Sequence, residues 1–252
     1  MTYSIVARDT ETGFLGVAVA SRFFAVGALV PHLRHNAAVA TQAFVNPMWG
    51  LEGARRLSAG EPADLVMADF VKRDQGQHIR QAHMIDSHGK SVAHTGASCI
   101  DWAGHEIGDG VSVAGNMLVG PAVVSDTLAC YLDNPQLDFV DRLLTAMEAG
   151  ENAGGDKRGR QAAGLRIHCH QDYPSHDLRV DDHADPLAEL RRLNAVAQER
   201  SVHFAKTFAT AENFSGTTDR TELDRSIAER EAQWLERGIV SRSAATTTNP
   251  EG

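Results

Sequence analysis

Three short runs restrict the fold more than anything else in this 252-residue chain. Residues 16–20 (GVAVA), 37–40 (AAVA) and 111–114 (VSVA) are almost continuously small and apolar. A strand with one wet face alternates polar and apolar side chains, whereas a strand covered on both faces does not. These runs therefore belong inside sheets covered on both sides. Their Ala, Gly and Val side chains allow the layers to approach closely.

The residues between the runs set the order of elements. Residues 4–9 and 14–21 read as a hairpin around the turn-rich Thr10-Glu11-Thr12-Gly13. A looser segment with Gly27 and Pro31 leads to a strand over 37–44. Asn46-Pro47 and Gly50 break the pattern, and helical spacing then runs over 51–59 and stops at Gly60. A second helix starts near Pro62, a residue suited to a first helical turn. Residues 80–86 and 91–95 form a second hairpin. A Gly-rich connection leads to a strand over 111–118. Helices follow over 122–132 and 139–149, then a charged Gly-rich loop over 151–160 and strands over 161–168 and 177–180. A long amphipathic helix over 186–207 closes the main body, with Asp185 as its N-cap.

Strands joined mostly as hairpins, with helices inserted in pairs, argue against a doubly wound parallel sheet. They fit an α+β fold, a four-layer αββα sandwich of two antiparallel sheets covered outside by helices. Residues 1–212 read as one such domain. Residues 213–238 read as a linker and a charged C-terminal helix, and 239–252 have the composition of a disordered tail.

Composition narrows the function. Apolar residues make up 42% of the chain and charged residues 23%, with no run near the ~18 apolar residues of a membrane span. The start, MTYSIVARD, lacks the basic and apolar segments of a signal peptide, so the expected location is cytoplasmic. A net charge of −9 argues against nucleic acid or an anionic membrane as the partner. Cys99, Cys130 and Cys169 are widely spaced with no CxxC pairing and read as free thiols.

Several polar groups stand out. Thr41 and Gln42 lie inside an apolar strand and Thr95 ends another; buried polar groups must find partners, or else line a cleft between the sheets. His168 and His170, at i and i+2, would share one face of a strand, a usable metal spacing. They raise a metal-dependent hydrolase as one alternative, although no HExxH occurs and no metal ligand set is assigned.

The segments TYSIVARDTETGFLGVAVASRF, AVATQAF, AHTG, GNML, AGGDKRGRQAAGL and DLRVDDHADPLAELRRL resemble, in order and spacing, the bacterial family called domain of unknown function 1028. The resemblance covers residues 2 to about 195. That family is grouped with the N-terminal-nucleophile (Ntn) hydrolases, so the resemblance implies an Ntn-hydrolase-like sandwich and an amidohydrolase acting on a small-molecule amide or related C–N bond. Such an enzyme uses a Thr, Ser or Cys as first residue of the mature chain, with its own α-amine as base. The ordinary pKa of that amine, about 7.7–8.0, leaves it partly neutral at cellular pH. Removal of Met1 would expose Thr2 as that nucleophile.

The resemblance also implies a role for Asn116 as oxyanion donor, and for Asp156, Lys157 and Arg160 in positioning the substrate or the amine. Arg22, Gln42 and Thr95 are the further substrate-contact candidates. No cofactor is required. The pattern departs from proteasome-like relatives: Ala20 stands where they carry an acid, and no lysine occurs before Lys72. A third class, a non-catalytic binding or assembly module on the same shell, remains open, and the charged C-terminal helix offers a face for a homodimer.

Overall fold

A computed structural model describes residues 2–245. Met1, whose removal the Ntn reading requires, and residues 246–252 of the tail lie outside the described residues. Among the described residues, ten strands form two sheets in which all the pairs are antiparallel. The first sheet contains β1 (Thr2–Arg8), β2 (Leu15–Ser21), β7 (Gly104–Gly108), β8 (Val111–Asn116), β9 (Ala162–His168) and β10 (Pro174–Val180). Their order is β10-β9-β2-β1-β8-β7. The second contains β3 (Pro31–Arg34), β4 (Ala37–Ala43), β5 (Arg80–Ile85) and β6 (Ser91–Thr95), paired in chain order.

The period of two sorts each strand into an inner and an outer face. On β1, Ser4 and Val6 point inward to the second sheet, and Ser4 bonds Gln42 of β4 and His83 of β5. Tyr3 points outward, and the single hydrogen of its hydroxyl is shared between Met147 O at 2.9 Å and Glu151 Oε2 at 3.0 Å on α5 (Phe139–Asn152). That helix and α4 (Ala122–Asp133) cover the first sheet. The second sheet is covered by α2 (Pro47–Ser58) and α3 (Ala63–Arg73), whose Trp49, Leu57, Val66 and Phe70 pack on Val39 and Met84. The result is the α+β layering read from the buried strands.

Apart from the central β1, which begins at Thr2 and not at the expected Ser4, the strands missed or cut short in the sequence reading are at sheet edges. β3 passes for a loose segment, β7 for a Gly-rich connection, and β10 starts three residues before the expected Asp177. An edge strand has one partner, so it tolerates a proline at its start, glycines at its ends and polar side chains on its open side. The periodic signal fades with them.

Two helix boundaries also differ. Asn46 and Pro47 start α2 instead of breaking it: the Asn46 side chain accepts from Met48 N at 3.0 Å, and Pro47 takes the first helical position. Gly50 sits inside the helix because the His32 ring of β3 lies where a Cβ would be. The expected long helix is two pieces, α6 (Pro186–Ala197) and α7 (Ser201–Ala205), since Arg200 leaves helical geometry with φ −143°. Asp185 does cap α6, accepting from Ala188 N at 3.2 Å. The four-residue α1 (Val26–Leu29) precedes β3.

Contacts divide the chain into two compact units, Met1–Leu190 and Arg191–Gly252. In the second, α8 (Thr221–Glu236) buries Leu223 and Ile227, and His203 of α7 meets Ser226 at 3.1 Å. Among the described residues, no helix is long and apolar enough to cross a membrane.

Candidate functional site

The first strand begins at Thr2, in register with Asn116 at the end of β8. Both residues are buried, and the Thr2 hydroxyl donates to Ser21 Oγ at 3.1 Å, where β2 ends. The loop at 153–161 closes over this strand end. Its Asp156 carboxylate is buried and accepts from Arg22 N and Arg158 N, each at 2.8 Å. The Arg158 guanidinium adds a bond at 3.3 Å, and the Arg22 guanidinium donates to Arg158 O. Asp156 is thus the peg that fastens the loop to β2, and a short bridge to Leu118 ties the same loop to β8.

Behind Thr2 the inner faces of the two sheets are polar. Gln42 Nε2 donates to Gln81 Oε1 at 2.9 Å and to Ala114 O at 3.1 Å. Gln81 Nε2 shares its two hydrogens among Gly115 O, Thr95 Oγ1 and Gly104 O at 2.8, 2.9 and 3.1 Å. Carbonyl oxygens only accept, so both amide orientations are fixed. Asn116 is fixed in turn: its Nδ2 donates to Gln81 Oε1 at 3.0 Å and, loosely, to Thr2 O at 3.4 Å.

The same accounting sets the His83 tautomer. With both Gln42 amide hydrogens engaged, Ser4 must donate its single hydrogen to Gln42 Oε1, at 2.7 Å. Ser4 Oγ then accepts from His83 Nε2–H at 2.8 Å, which leaves Nδ1 to accept from Ser112 at 3.1 Å. Burial, helped by His105, pushes the His83 pKa down to about 3, so the ring stays neutral. This Ser–His pair has the geometry of a nucleophile and base, but both residues are wholly buried and no substrate reaches them. Their role is to join the sheets.

Beside Asn116 lies a hollow of about 230 Å³, lined by Ala43, Phe44, Ile79, Ser98, Cys99, Ile100, Asn116 and Met117. One sheet contributes the end of β4 and the other the end of β8. Both ends turn through left-handed backbone at non-glycine residues, Ala43 (φ 68°) and Met117 (φ 54°). Asp101, next to Ile100, has φ 25°. Such conformations cost about 1–3 kcal/mol each and gather at functional sites. The third wall, 98–100, depends on Gly96, where a Cβ would lie 2.4 Å from the His78 backbone. A larger hollow of about 480 Å³ opens at the opposite end of β1, among loop residues such as Thr10 and Gln136.

The sequence candidates divide accordingly. Thr2, Asn116, Arg22 and Asp156 meet at one end of the first sheet. Gln42 and Thr95 belong to the seam behind them, and Thr95 also meets His105 Nδ1 at 2.9 Å. Lys157 pairs with Asp101 beside the hollow. Arg160 is not brought to the others; it pairs with Glu151 at 2.6 Å and Asp185 at 3.5 Å on the α5 side.

The one-face expectation for His168 and His170 is corrected. β9 ends at His168, whose Nδ1 meets Gln171 O at 3.1 Å. His170 has φ 64° and turns its ring onto Phe14. Among the described residues, no group of three or more His, Cys, Asp or Glu is arranged to hold a metal.

Sequence reasoning missed Gln81 and His83. Their signal was the alternation of Gln81 and His83 with Ala82 and Met84, a short polar stripe in a buried strand. The hollow was missed entirely.

Taken together, these features define an α+β sandwich with a polar seam that opens onto a pocket at one end. The chain belongs to the family of unknown function called domain of unknown function 1028, whose model matches residues 2–190. That match ends where the first compact unit ends. A crystal structure of a protein from Silicibacter pomeroyi, described as of the same family, is similar at 28% identity and a TM-score of 0.80. The similarity covers 86% of this chain and 99% of that one. No curated protein matches the sequence.

Proposed function

We propose that the protein is an amidohydrolase of the N-terminal-nucleophile type, cleaving a small-molecule amide or related C–N bond with Thr2. One observation carries this reading: Asn116 both pairs with Thr2 at the head of the first strand and lines an open pocket, so the strand end that bears Thr2 and a substrate-sized hollow meet at one residue.

With Met1 removed, the Thr2 α-amine takes the hydroxyl proton as Oγ1 attacks the carbonyl carbon. The tetrahedral adduct collapses, the C–N bond breaks, and the departing amine leaves with that proton. Water then attacks the Thr2 ester, giving one proton to the α-amine. The ester oxygen recovers it, and the carboxylic acid departs. Ser21, already bonded to the Thr2 hydroxyl, orients it. In this reading Asn116 is the oxyanion donor: one of its amide hydrogens is held by Gln81 Oε1 at 3.0 Å, and the other, only loosely engaged by Thr2 O at 3.4 Å, is the one a developing oxyanion competes for. Asp156 acts through Arg22 and Arg158 by holding the loop, and Lys157 borders the pocket in its pair with Asp101.

The test is the intact mass of untagged protein, followed by amine release from a panel of simple amides. The reading expects a mass without Met1 and a turnover that Thr2→Ala abolishes. Met1 retained on the purified protein removes the base and leaves a binding shell instead.

A further inference from the structure

We propose that the substrate carries an uncharged, apolar substituent of roughly phenylethyl size, held in the hollow between Phe44, Ile79, Cys99, Ile100 and Met117. The amide in this proposal rests on the hydrolase reading above; the nature of the substituent rests on the hollow alone.

Size comes first. A dry apolar cavity of about 150 Å³ accepts benzene. At about 230 Å³, this one takes a ring and a short chain beyond it. The polarity of the walls agrees. No lining side chain carries a charge: Phe44, Ile79, Ile100 and Met117 are apolar, and burial pushes the Cys99 thiol up, which keeps it neutral. The neighbouring charges are matched. Arg80 stacks on Phe44 while paired with Asp74 at 3.1 Å, and Lys157 pairs with Asp101. A charged group in the hollow would lose water and find no counter-charge on the walls.

Exposure and backbone geometry point the same way. Phe44 and Ile100 are 70% and 61% exposed, although they flank a buried polar centre. The left-handed turns at Ala43 and Met117 are unfavourable for residues with side chains, and each lies on the wall of this hollow. Two segments that carry the family resemblance, AVATQAF and GNML, run through these turns at residues 43–44 and 116–117. Together the walls form a ready-made seat for an apolar group next to Asn116, the residue that pairs with Thr2.

Binding separates this proposal from the catalytic one. Isothermal titration of the Thr2→Ala protein uses phenylacetamide and its charged analogue 4-carboxyphenylacetamide as probes. Phenylacetamide should bind saturably and the analogue at least about tenfold more weakly. Ile100→Trp, at an exposed position, should fill the hollow and abolish phenylacetamide binding. Ile100→Arg should reverse the preference in favour of the carboxylate. Equal or tighter binding of the analogue, no saturable binding of either probe, or binding indifferent to Ile100→Trp overturns the proposal. Binding as expected without turnover by the wild type would remove the hydrolase reading and leave the pocket assignment standing. Turnover confined to charged amides would do the reverse.

Discussion

Strands β4 and β5 bury both faces, and the two faces are chemically opposite. Outward, Val39, Ala82 and Met84 meet Trp49, Leu57 and Phe70 in an apolar layer. Inward, at the Thr2 end, Gln42, Gln81 and His83 meet Ser4, Ser112 and Asn116 through hydrogen bonds. Farther along the same inner faces the chemistry reverts to Val6, Ala38 and Ile85. The apolar layer needs only volume and shape, and it tolerates exchange among similar side chains. The polar layer needs each donor to find its acceptor, and so it dictates orientation. The strand ends around Thr2 are held by the second kind of packing.

Gln81→Leu breaks this contrast most severely. It leaves carbonyl oxygens of Gly104 and Gly115 and the donors of Gln42 and Asn116 without their partner. A loss of about 5 kcal/mol is expected in urea unfolding, with loss of phenylacetamide binding by the folded fraction. Leu57→Ala, in the apolar layer, should cost about 3 kcal/mol and leave probe binding unchanged. If both variants lose binding in proportion to stability, the distinction between the two faces falls.

The legibility of the sequence follows the same division. Buried central strands announce themselves by small, unbroken apolar runs, so β2, β4 and β8 were readable. Edge strands have one partner and mixed side chains, and β3 and β7 were not. Thr2 and Asn116 stand out by position and resemblance as candidates, and Gln42 by its polarity in an apolar run. His83 hid in a strand that looked merely amphipathic. The hollow could not be read because its walls come from four separate segments with no shared period, and because left-handed turns at Ala43 and Met117 leave no glycine to mark them.

A third measurement uses pH. His83 titrates near 3 in the folded protein and near 6.5 when unfolded, so below 6.5 the unfolded chain takes up a proton that the native one refuses. The stability it supports is complete above pH 6.5 and is lost as pH falls toward 3. Between pH 6.5 and 5 this amounts to about 2 kcal/mol. His83→Gln should flatten the slope of unfolding free energy over that range by close to one proton; an unchanged slope would mean that another group carries it. The smallest effect is expected from Ser112→Ala, which removes the donor to His83 Nδ1 and should cost about 1 kcal/mol.

The seam also has a direction. From Ser112 the hydrogens point to His83, from His83 to Ser4, from Ser4 to Gln42, from Gln42 to Gln81 and from Gln81 to Thr95. A chain that relays protons must reset after each passage by reversing every bond in the row. Here reversal would turn two amide oxygens onto the carbonyls of Ala114 and Gly115, acceptor against acceptor. The row therefore cannot conduct. It acts as a latch set once, at folding, and in the turnover proposed above any proton has to travel by a route other than the seam.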